Sequence, residues 1–513
     1  MHMRGANLLR MRTLVLTRVP GKALVVAALL LLITDVDAAS RTGVIDLRHN
    51  EVPQVVGPAD AGNRLSSAGD VNGDGYPDFL IGSCGGSLSG SASTKEGSVY
   101  VVFGRPDLKT IDLTELGSDG FEVVGADNGD SACRPTDIGD INGDGLDDIV
   151  VGAPFADNNE RGDSGSAYVI FGKTDSDPVD LTLFDLGAQG TAGYRIDGAF
   201  RIDYAGHSVA APGDMNGDGI PDLILAAPFA ARSYVVFLKE ESMTPIDLLL
   251  FDLGMQGDAG FVIRTPSPAT GNLYEVASAG DANGDQIPDV AVGVTKGDNG
   301  AGSAYVVFGG QVSGSVDVRE PGGWDGYRIR GARSEDTAGY SMAPLGDLNG
   351  DGKDDLLVGA PRIFSDKGAG SAYVVFGKDD RGPVHLADLQ QGGYKIKGIS
   401  EGDTAASSVA GLGDINSDGI PDFVIGVAGD NPRREGGGSA YVVFGKKGSG
   451  TIRLRHLRRG FAIYGAGPLD FAGAAVAGMP DLDDDGVSEV LVGAPGVGKG
   501  DPGVVYVVPA VRP

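Results

Sequence analysis

The chain has 513 residues, of which 70 are Asp or Glu and 41 are Lys or Arg, and its formal net charge is −29 at pH 7. This charge argues against nucleic-acid binding, and a hydrophobic content of 41% is too high for a disordered acidic tail. Glycine contributes 85 residues without the three-residue period of collagen. These features exclude a long helical protein and predict many short strands joined by tight turns.

The first 38 residues differ from the rest of the chain. Five basic residues precede an apolar run, Ala23–Ile33, and small residues follow around Ala38. This pattern predicts a secretory signal peptide over 1–38, cleaved near Ala38, and a secreted protein, extracellular or periplasmic. A short membrane anchor is the less favoured alternative, because the run is shorter than the roughly 20 residues that span a bilayer. No later segment is apolar enough to span, so we expect no transmembrane span in the mature chain.

A nine-residue acidic motif, D-x-[ND]-x-D-x-x-x-[DE], occurs seven times after the leader, at intervals of 66–74 residues. A small-residue stretch precedes each motif, and an apolar run such as DIVVGAP follows it. Each repeat then continues with a run such as SAYVVFG and another such as GYRIRG. The pattern predicts four strands per repeat, A to D, separated by glycine-rich turns. The motifs are at 70–78, 140–148, 214–222, 281–289, 347–355, 414–422 and 481–489.

Seven four-stranded antiparallel units that cannot bury their faces alone predict an all-β fold, a seven-bladed β-propeller. The repeats fill 39–513, so we expect a single domain there. The sequence stops after strand C of the seventh unit, and Glu51–Gly57 is predicted to supply the missing strand D and close the ring. A β-solenoid is the alternative, but a repeat of about 67 residues is far too long for one coil.

The motif has the chemistry of a calcium loop. Side-chain oxygens alternate at positions one, three and five, a backbone carbonyl follows at position seven, and a carboxylate at position nine completes the oxygen ligands that calcium prefers. Glycines between them allow the positive φ of a tight turn. The predicted ligands are Asp70, Asn72, Asp74, Tyr76 and Asp78; Asp140, Asn142, Asp144, Leu146 and Asp148; Asp214, Asn216, Asp218, Ile220 and Asp222; Asp281, Asn283, Asp285, Ile287 and Asp289; Asp347, Asn349, Asp351, Lys353 and Asp355; Asp414, Asn416, Asp418, Ile420 and Asp422; and Asp481, Asp483, Asp485, Val487 and Glu489.

These loops differ from EF-hands, which need a Glu at position twelve. Here position twelve is apolar, as at Ile81 and Val151, so the loops are predicted to join two strands. A turn rich in Asn and Asp that binds nothing is the alternative for any single loop, but seven copies in register favour metal. We therefore predict six or seven calcium ions. The loop at 281–289 should be the weakest, because Gln286 replaces a glycine.

The motif D-x-N-G-D-G-x-x-D followed by Gly-Ala-Pro, as at 152–154, 359–361 and 493–495, resembles the FG-GAP repeats of integrin alpha-subunit propellers. The resemblance covers essentially the whole chain after the leader. It implies a seven-bladed propeller with calcium in the A–B loops and an extracellular protein or glycan ligand on the opposite face. Integrin alpha chains continue into further domains and a membrane span, so we expect closer similarity to stand-alone secreted FG-GAP proteins.

The B–C and D–A turns should form the face opposite the metal loops. Phe155, Phe229 and Phe364 follow strand B and are either exposed anchors for a partner or side chains folded over the core rim. Arg-Gly-Asp at 161–163 spells an integrin-ligand triplet, which chance explains in a chain so rich in Gly and Asp. A basic cluster at 453–459 is expected at the metal end, where it would offset nearby carboxylates.

Catalytic motifs are scarce in this sequence. The histidines after the leader fall in separate repeats without paired spacing, and there is no G-x-S-x-G motif. We predict a monomeric adhesion or binding module and no enzyme; an extracellular hydrolase or lyase with its site on the upper face is the alternative, and a passive acidic protein the third. Cys84 and Cys133 could form a disulfide after export or remain free thiols. The histidines are His49, His207, His385 and His456.

Overall fold

The computed structural model describes most of the chain after the leader. The predicted leader and the predicted ligands Asp483 and Asp485 lie outside the described residues. The described residues are 43–49, 52–84, 97–239, 244–266, 275–310, 314–320, 322–365, 368–429, 436–482, 486–496 and 502–510.

The described residues form seven five-stranded sheets, each a blade with antiparallel strands A to D and a short outer strand E parallel to D. Strand A is innermost and ends at the acidic motif. From blade 1 to blade 7, strand A is Arg64–Gly69, Arg134–Gly139, Val209–Gly213, Val276–Gly280, Met342–Gly346, Val409–Gly413 and Ala475–Met479. Strand B is Asp78–Ser83, Asp148–Ala153, Asp222–Ala227, Asp289–Val294, Asp355–Ala360, Asp422–Val427 and Glu489–Ala494.

The outer strands follow the same order of blades. Strand C is Ser98–Val102, Ser166–Ile170, Arg232–Val236, Ser303–Val307, Ser371–Val375, Ser439–Val443 and Gly503–Pro509. Strand D is Gly120–Val124, Gly193–Asp197, Gly260–Arg264, Gly326–Arg330, Gly393–Lys397, Gly460–Tyr464 and, for blade 7, Gln54–Gly57. Strand E is Val179–Asp180, Ile246–Asp247, Gly314–Asp317, Val384–His385, Ile452–Arg453, Val44–Asp46 and Ile111–Asp112.

The seven-bladed all-β propeller predicted from the sequence is confirmed, but the prediction of four-stranded blades was incomplete. Strand E comes from the C–D connection of the following blade, or from the N-terminal segment in blade 6. It is only two to four residues long, which is too short for an alternating pattern to reveal. By sequence, each such strand E belongs to one blade, and it pairs in parallel with strand D of the blade before it. Strand E therefore links neighbouring blades.

The N-terminal segment closes the ring as predicted. Gln54–Gly57 pairs antiparallel with strand C of blade 7 and parallel with Ile111–Asp112. Val44–Asp46 also pairs, parallel to strand D of blade 6. Strand A of blade 1 contacts strand A of blade 7, as the inner strands of all other neighbouring blades contact one another. The two ends of the described chain are therefore interleaved across two blades.

The core lies between the blades. Seven apolar clusters are present in the described residues, one at each contact between neighbouring blades. In the cluster between blades 7 and 1, Val55, Phe79 and Leu491 pack together and are fully buried. Strand B is buried along its whole length in every blade. Each blade therefore buries two apolar faces and depends on both neighbours.

The Phe step after strand C, which is Phe-Gly in five blades and Phe-Leu in blade 3, has a packing role in six blades. Its Phe ring meets the second residue of strand D edge-on, with ring centroids 5.9–6.5 Å apart, a geometry that aromatic pairs prefer. The pairs are Phe103–Phe121, Phe171–Tyr194, Phe237–Phe261, Phe308–Tyr327, Phe376–Tyr394 and Phe444–Phe461.

The helices of the described residues are short. The α-helices α1, Leu181–Asp185, and α2, Leu249–Asp252, lie in the C–D connections of blades 2 and 3. None of the described helices is long and apolar enough to cross a membrane. Short 3-10 turns are at Leu113–Glu115, Asn158–Glu160, Pro228–Ala230, Asp298–Gly300 and Leu454–His456.

Cys84 and Cys133 form a disulfide. Cys84 follows strand B of blade 1, and Cys133 precedes strand A of blade 2. Of the two alternatives left open by the sequence, the structure has the disulfide, which links two adjacent blades.

Deleting residues 39–57 should make the protein insoluble or lower its melting temperature by roughly 10 °C or more, even with calcium. The deletion removes strand D of blade 7 and strand E of blade 6, leaving strand C with an open edge that favours aggregation. Solubility and thermal unfolding would be measured beside a control that lacks only 1–42 and keeps both strands. A soluble truncation with a near-native melt would contradict closure by these strands.

Candidate metal loops and the opposite face

Each acidic motif forms the hairpin loop between strands A and B, so the described loops lie at one end of the propeller. In loop one the Asp70 carboxylate accepts hydrogen bonds from the backbone N–H groups of Gly73, Asp74 and Gly75, at 2.8, 3.0 and 2.9 Å. Gly73 and Gly75 have φ values of 76° and 91°, which glycine adopts at little cost. The turn thus winds around its first carboxylate, and loops two to five repeat these bonds.

The third, fifth and seventh residues hold one another in place. Asn72 Oδ1 accepts from the Asp74 backbone N–H at 2.8 Å, and Asn72 Nδ2 donates to Asp74 Oδ2 at 3.0 Å. The backbone N–H of Tyr76 donates to Asp74 Oδ1 at 2.9 Å. The Asp74 carboxylate is therefore fixed from both sides before any ligand arrives.

The ninth residue opens strand B and is buried in the described loops. In loop one, Asp78 accepts from the backbone N–H groups of Val71 and Gly104 at 2.9 and 2.8 Å. Burial raises the pKa of Asp78 to about 7; these hydrogen bonds oppose the rise, and Asp74 and Asp70 add to it. Burial also raises the pKa to about 7 at Asp148, Asp222, Asp289 and Asp355, and to about 6 at Asp422.

The donor set fits a divalent cation. In loops one to five, within the described residues, no Lys or Arg nitrogen lies within 4.0 Å of the predicted carboxylate ligands. Asp222 Oδ1 and Asp289 Oδ2 are buried without a hydrogen bond of normal geometry. Three carboxylates and an amide oxygen without a protein cation match the hard oxygen ligands of calcium.

The tightest carboxylate group in the described part of the chain lies elsewhere. One oxygen from each of Asp127, Asp130 and Asp185 lies within 4.8 Å of the others. Asp185 also accepts hydrogen bonds from the hydroxyl of Tyr168 and from Arg195, each at 2.9 Å. Asp185 is distant in sequence from Asp127 and Asp130, so no motif signals the group. In the loops, by contrast, the carboxylates are turned toward backbone N–H groups.

Loop four keeps the common turn despite Gln286. Gln286 has a φ of 70°, and its backbone N–H donates to Asp281 Oδ2 at 2.8 Å, as Gly75 does to Asp70. The turn has not widened, so any penalty at Gln286 is backbone strain.

Loop six departs further from the pattern than its sequence suggests. Ser417 has a φ of 59° where loops one to five have glycine. Asn416 Nδ2 donates to Asp422, at 3.2 and 3.0 Å, instead of to Asp418. Arg459 forms an ion pair with Asp418 at 3.0 Å. One predicted ligand of this loop is thus already paired with a protein cation.

In loop seven, Asp481 Oδ2 accepts from the backbone N–H of Gly486 at 2.6 Å. Glu489 Oε2 accepts from the backbone N–H of Leu482 at 2.8 Å, as the ninth Asp does elsewhere. The longer Glu489 side chain therefore accepts the same backbone hydrogen bond as the ninth Asp of other loops.

Neighbouring loops are also joined directly. Asp147 Oδ2 accepts from the backbone N–H of Asp70 at 2.7 Å, and Asp354 Oδ2 accepts from that of Asp281 at 2.9 Å. Asp147 and Asp354 precede the ninth residue of loops two and five, a position that Pro221 and Pro288 occupy in loops three and four. Each of these carboxylates belongs to the first of two adjacent aspartates, Asp147-Asp148 or Asp354-Asp355, and this pair is the sequence feature that marks the contact.

Blades 2 and 3 carry most of the exposed apolar side chains of the described chain, and those of Phe200, Ile202 and Phe229 lie in D–A or B–C connections, at the face opposite the metal loops. Ten large apolar residues of the described chain are exposed, and only Phe364 and Leu469 among them belong to other blades. Aromatic rings extend this group: Tyr204 contacts Phe155 and Phe229, with centroids 4.9 and 4.6 Å apart. The group, named here the blade 2–3 apolar group, comprises Leu183, Leu186, Phe200, Ile202, Phe229, Leu250, Leu253 and Met255.

The three candidate phenylalanines behave differently. Phe229 and Phe364 are each 55% exposed, whereas Phe155 is half-buried against Tyr204. Lys296 Nζ lies 4.9 Å from the centroid of the Phe364 ring. Phe155 is therefore the phenylalanine that folds over the core rim, whereas the exposed Phe229 is available to a partner.

The Arg-Gly-Asp triplet is part of the fold, because Arg161 forms a two-point ion pair with Asp247 at 2.7 and 2.8 Å. The basic cluster is divided between two places. Arg459 lies at loop six, as expected, but Arg455 donates to Ser400 at 2.9 Å, in the D–A connection on the opposite face. Strand E at Ile452–Arg453 carries the chain away from the metal end, which the sequence did not reveal.

Residues 61–102, 136–170, 205–238 and 338–375 match the family model of the FG-GAP repeat. These segments contain strands of blades 1, 2, 3 and 5. Integrin alpha-PS2 of Drosophila melanogaster is 32% identical over 231 residues, which cover 42% of this chain and 14% of that protein. Integrin alpha-5 of Xenopus laevis is 31% identical over 233 residues, 44% of this chain and 20% of that protein.

A phosphatidylinositol-glycan-specific phospholipase D of Dictyostelium discoideum is 28% identical over 179 residues, 32% of this chain and 17% of that protein. The matched segments span a fifth or less of these relatives. They support the repeat and the fold, and the predicted resemblance is confirmed.

Replacing Gln286 by Gly should raise the free energy of unfolding by up to about 1 kcal/mol. The change relieves a left-handed backbone but adds the unfolded-state entropy of glycine. Chemical denaturation would measure it beside Gln391→Gly, an exposed Gln outside the left-handed region, which should lose about 0.5–1 kcal/mol. Equal losses in both variants would show that Gln286 is unstrained.

Proposed function

Because the chain is a seven-bladed propeller of FG-GAP repeats that resembles the integrin alpha subunits, we propose that it is a secreted adhesion-type module. It binds calcium in the A–B loops and an extracellular ligand on the opposite face. The predicted signal peptide over 1–38 supports secretion, with the propeller beginning after Ala38. The comparisons support a ligand-binding propeller, and the blade 2–3 apolar group is the observation that carries the choice of face.

The calcium ligands of each loop are its side-chain oxygens at positions one, three, five and nine and its carbonyl at position seven. In loop one these are Asp70, Asn72, Asp74, Asp78 and the carbonyl of Tyr76. Bound calcium would supply positive charge where three carboxylates crowd together. We propose six or seven ions, with loop 281–289 weak because of Gln286. Loop 414–422 is also proposed as a weak site, because Arg459 forms an ion pair with its predicted ligand Asp418.

The ligand face follows from the distribution of exposed apolar surface. Soluble monomers rarely expose large contiguous apolar patches, and such patches mark interaction sites. The blade 2–3 apolar group lies in the connections that leave strands B, C and D of two adjacent blades. The apolar side chains of Phe200, Ile202 and Phe229, which lie in the B–C and D–A connections, suit a protein partner better than a glycan. A glycan remains an outcome of the test below.

An extracellular hydrolase or lyase is the runner-up. The partial similarity to a phospholipase D and the Asp127–Asp130–Asp185 group are the observations in its favour. Asp185 is engaged by Tyr168 and Arg195, which gives the group a structural role. His207 lies two residues before the inner strand of blade 3, and His385 lies on the outer strand E of blade 4, so they form no pair.

Chelating calcium should lower the melting temperature markedly. A site with a Kd of about 10⁻⁴ M stabilises by about 1.4 kcal/mol at roughly 1 mM calcium, and several sites together approach the stability of a whole domain. Thermal unfolding with and without chelator would be compared for the natural chain, Asp74→Asn and Asp107→Asn. Asp107 is an exposed aspartate outside the loops.

The chelator effect should shrink in Asp74→Asn and stay unchanged in Asp107→Asn. An unchanged melt of the natural chain in chelator would remove the calcium proposal.

Replacing Phe229 by Ser should abolish capture of the extracellular partner. Immobilised protein would be incubated with extracellular proteins in calcium, and the retained species identified. Phe364→Ser is the matched control, because Phe364 has the same 55% exposure and follows strand B of another blade. A partner retained by the natural chain and by Phe364→Ser, and lost only in Phe229→Ser, supports the proposal. Equal retention by both variants would contradict it, and retention abolished by deglycosylating the material would indicate a glycan.

A further inference from the structure

The mouth of the central channel on the free face gathers polar side chains from four blades, and those from three of the blades are charged. Arg64 and Arg134 begin strand A of blades 1 and 2, Glu275 immediately precedes strand A of blade 4, and Tyr340 lies two residues before strand A of blade 5. Glu275 interacts electrostatically with both arginines, and the charges of Arg64 and Glu275 act on Tyr340. Blades 1 and 5 are not neighbours, and neither are blades 2 and 4. These electrostatic interactions therefore act across the channel itself.

The guanidinium of Arg134 lacks good partners in the described chain. Its Nε is buried without a hydrogen bond. Its Nη1 lies 3.5 Å from the carbonyl oxygen of Ser131 and 3.9 Å from Cys133 Sγ, distances at or beyond the limit of a useful hydrogen bond. Arg64 donates to the neighbouring carbonyl of Asn63 at 3.0 Å. Within the described residues neither arginine has a carboxylate oxygen within 4.0 Å.

The charges at this mouth do not balance. Two guanidinium groups face one carboxylate, and Ser208 also hydrogen-bonds that carboxylate. Burial, followed by the charge of Arg64, lowers the pKa of Arg134 to about 9. With two guanidinium groups and one carboxylate, these described side chains at the mouth hold an excess of one positive charge in a chain whose net charge is −29.

We propose that the channel mouth is a carboxylate-binding site, in which Arg64 and Arg134 hold the Asp or Glu side chain of a polypeptide. The planar guanidinium matches a carboxylate with two parallel hydrogen bonds. One excess positive charge suits a monoanion, and Glu275 opposes the second charge of a phosphate. An acidic side chain has a slim, flexible stem that can pass between side chains converging from four blades, whereas a uronate brings its rigid sugar ring into the mouth.

This inference goes beyond the proposed function. It depends neither on the calcium loops nor on the blade 2–3 apolar group, and a failure of either leaves it standing. Calcium removal would change the stability of the propeller, whereas the carboxylate site is tested by the binding of an acidic peptide.

The test is calorimetric titration at low salt with the acetylated and amidated tripeptide Gly-Asp-Gly, its Gly-Asn-Gly counterpart and free glucuronate. The natural chain should bind the Asp peptide at millimolar concentration and ignore the Asn peptide. Arg134→Gln should weaken binding by about tenfold or more. Glu275→Gln should tighten it, because the competing internal carboxylate is gone. Arg201→Gln, an exposed arginine in the D–A connection between blades 2 and 3, should have no effect.

Several results would overturn the site. These are no binding of the Asp peptide, equal binding of the Asn peptide, or unchanged affinity in Arg134→Gln. Glucuronate binding that depends on Arg134, with no binding of the Asp peptide, would replace the polypeptide by a glycan and overturn the proposed ligand. If Arg134→Gln does not fold, as thermal unfolding would show, Arg64→Gln is the deciding variant, because Arg64 is exposed and its loss should weaken binding in the same direction.

Discussion

Each blade has two apolar faces, and this single constraint decides the architecture. A four-stranded sheet with strand B buried from end to end cannot be stable with one face in water, so every blade needs two neighbours. A linear stack would leave its first and last faces uncovered. The chain solves this by taking strand D of blade 7 and strand E of blade 6 from its N-terminal segment. The last cluster, between blades 7 and 1, then exists only because distant parts of the chain pair.

Closure also separates the chemistry of the two faces. Strand A runs from the free face to the acidic loop, so whatever begins strand A gathers at one channel mouth and whatever ends it gathers at the other face. The acidic loops are therefore separated from Arg64 and Arg134 by the length of strand A. Contacts such as Asp147 with the backbone of Asp70 join adjacent loops. The face that crowds carboxylates is thus also the face with polar links between blades.

Much of this fold could be predicted from the sequence, because its signals are local and repeated. The acidic motif, the apolar run of strand B and the closing segment Glu51–Gly57 all lie within short windows. What the sequence did not reveal depends on tertiary contacts. Strand E is too short to carry a pattern, and Arg455 reaches the free face only because strand E redirects the chain. The meeting of Arg64, Arg134 and Glu275 requires knowing which ends of four strands A share the channel.

The seven loops also show how far a motif constrains electrostatics. Loops one to five share the same backbone turn, and within the described residues no Lys or Arg nitrogen lies within 4.0 Å of their predicted carboxylate ligands. In loop six Arg459 pairs with Asp418, although the motif still reads D-x-N-x-D. The difference comes from a residue 41 positions later in the chain, outside any motif window.

The same reasoning applies to the channel mouth. An acidic protein repels an acidic ligand at long range, but salt at physiological strength screens charges beyond about 8 Å, and seven bound divalent ions would offset about half of the net charge. At the mouth, the local pair of arginines then outweighs the carboxylates beyond this distance, because salt screens the charges of those carboxylates.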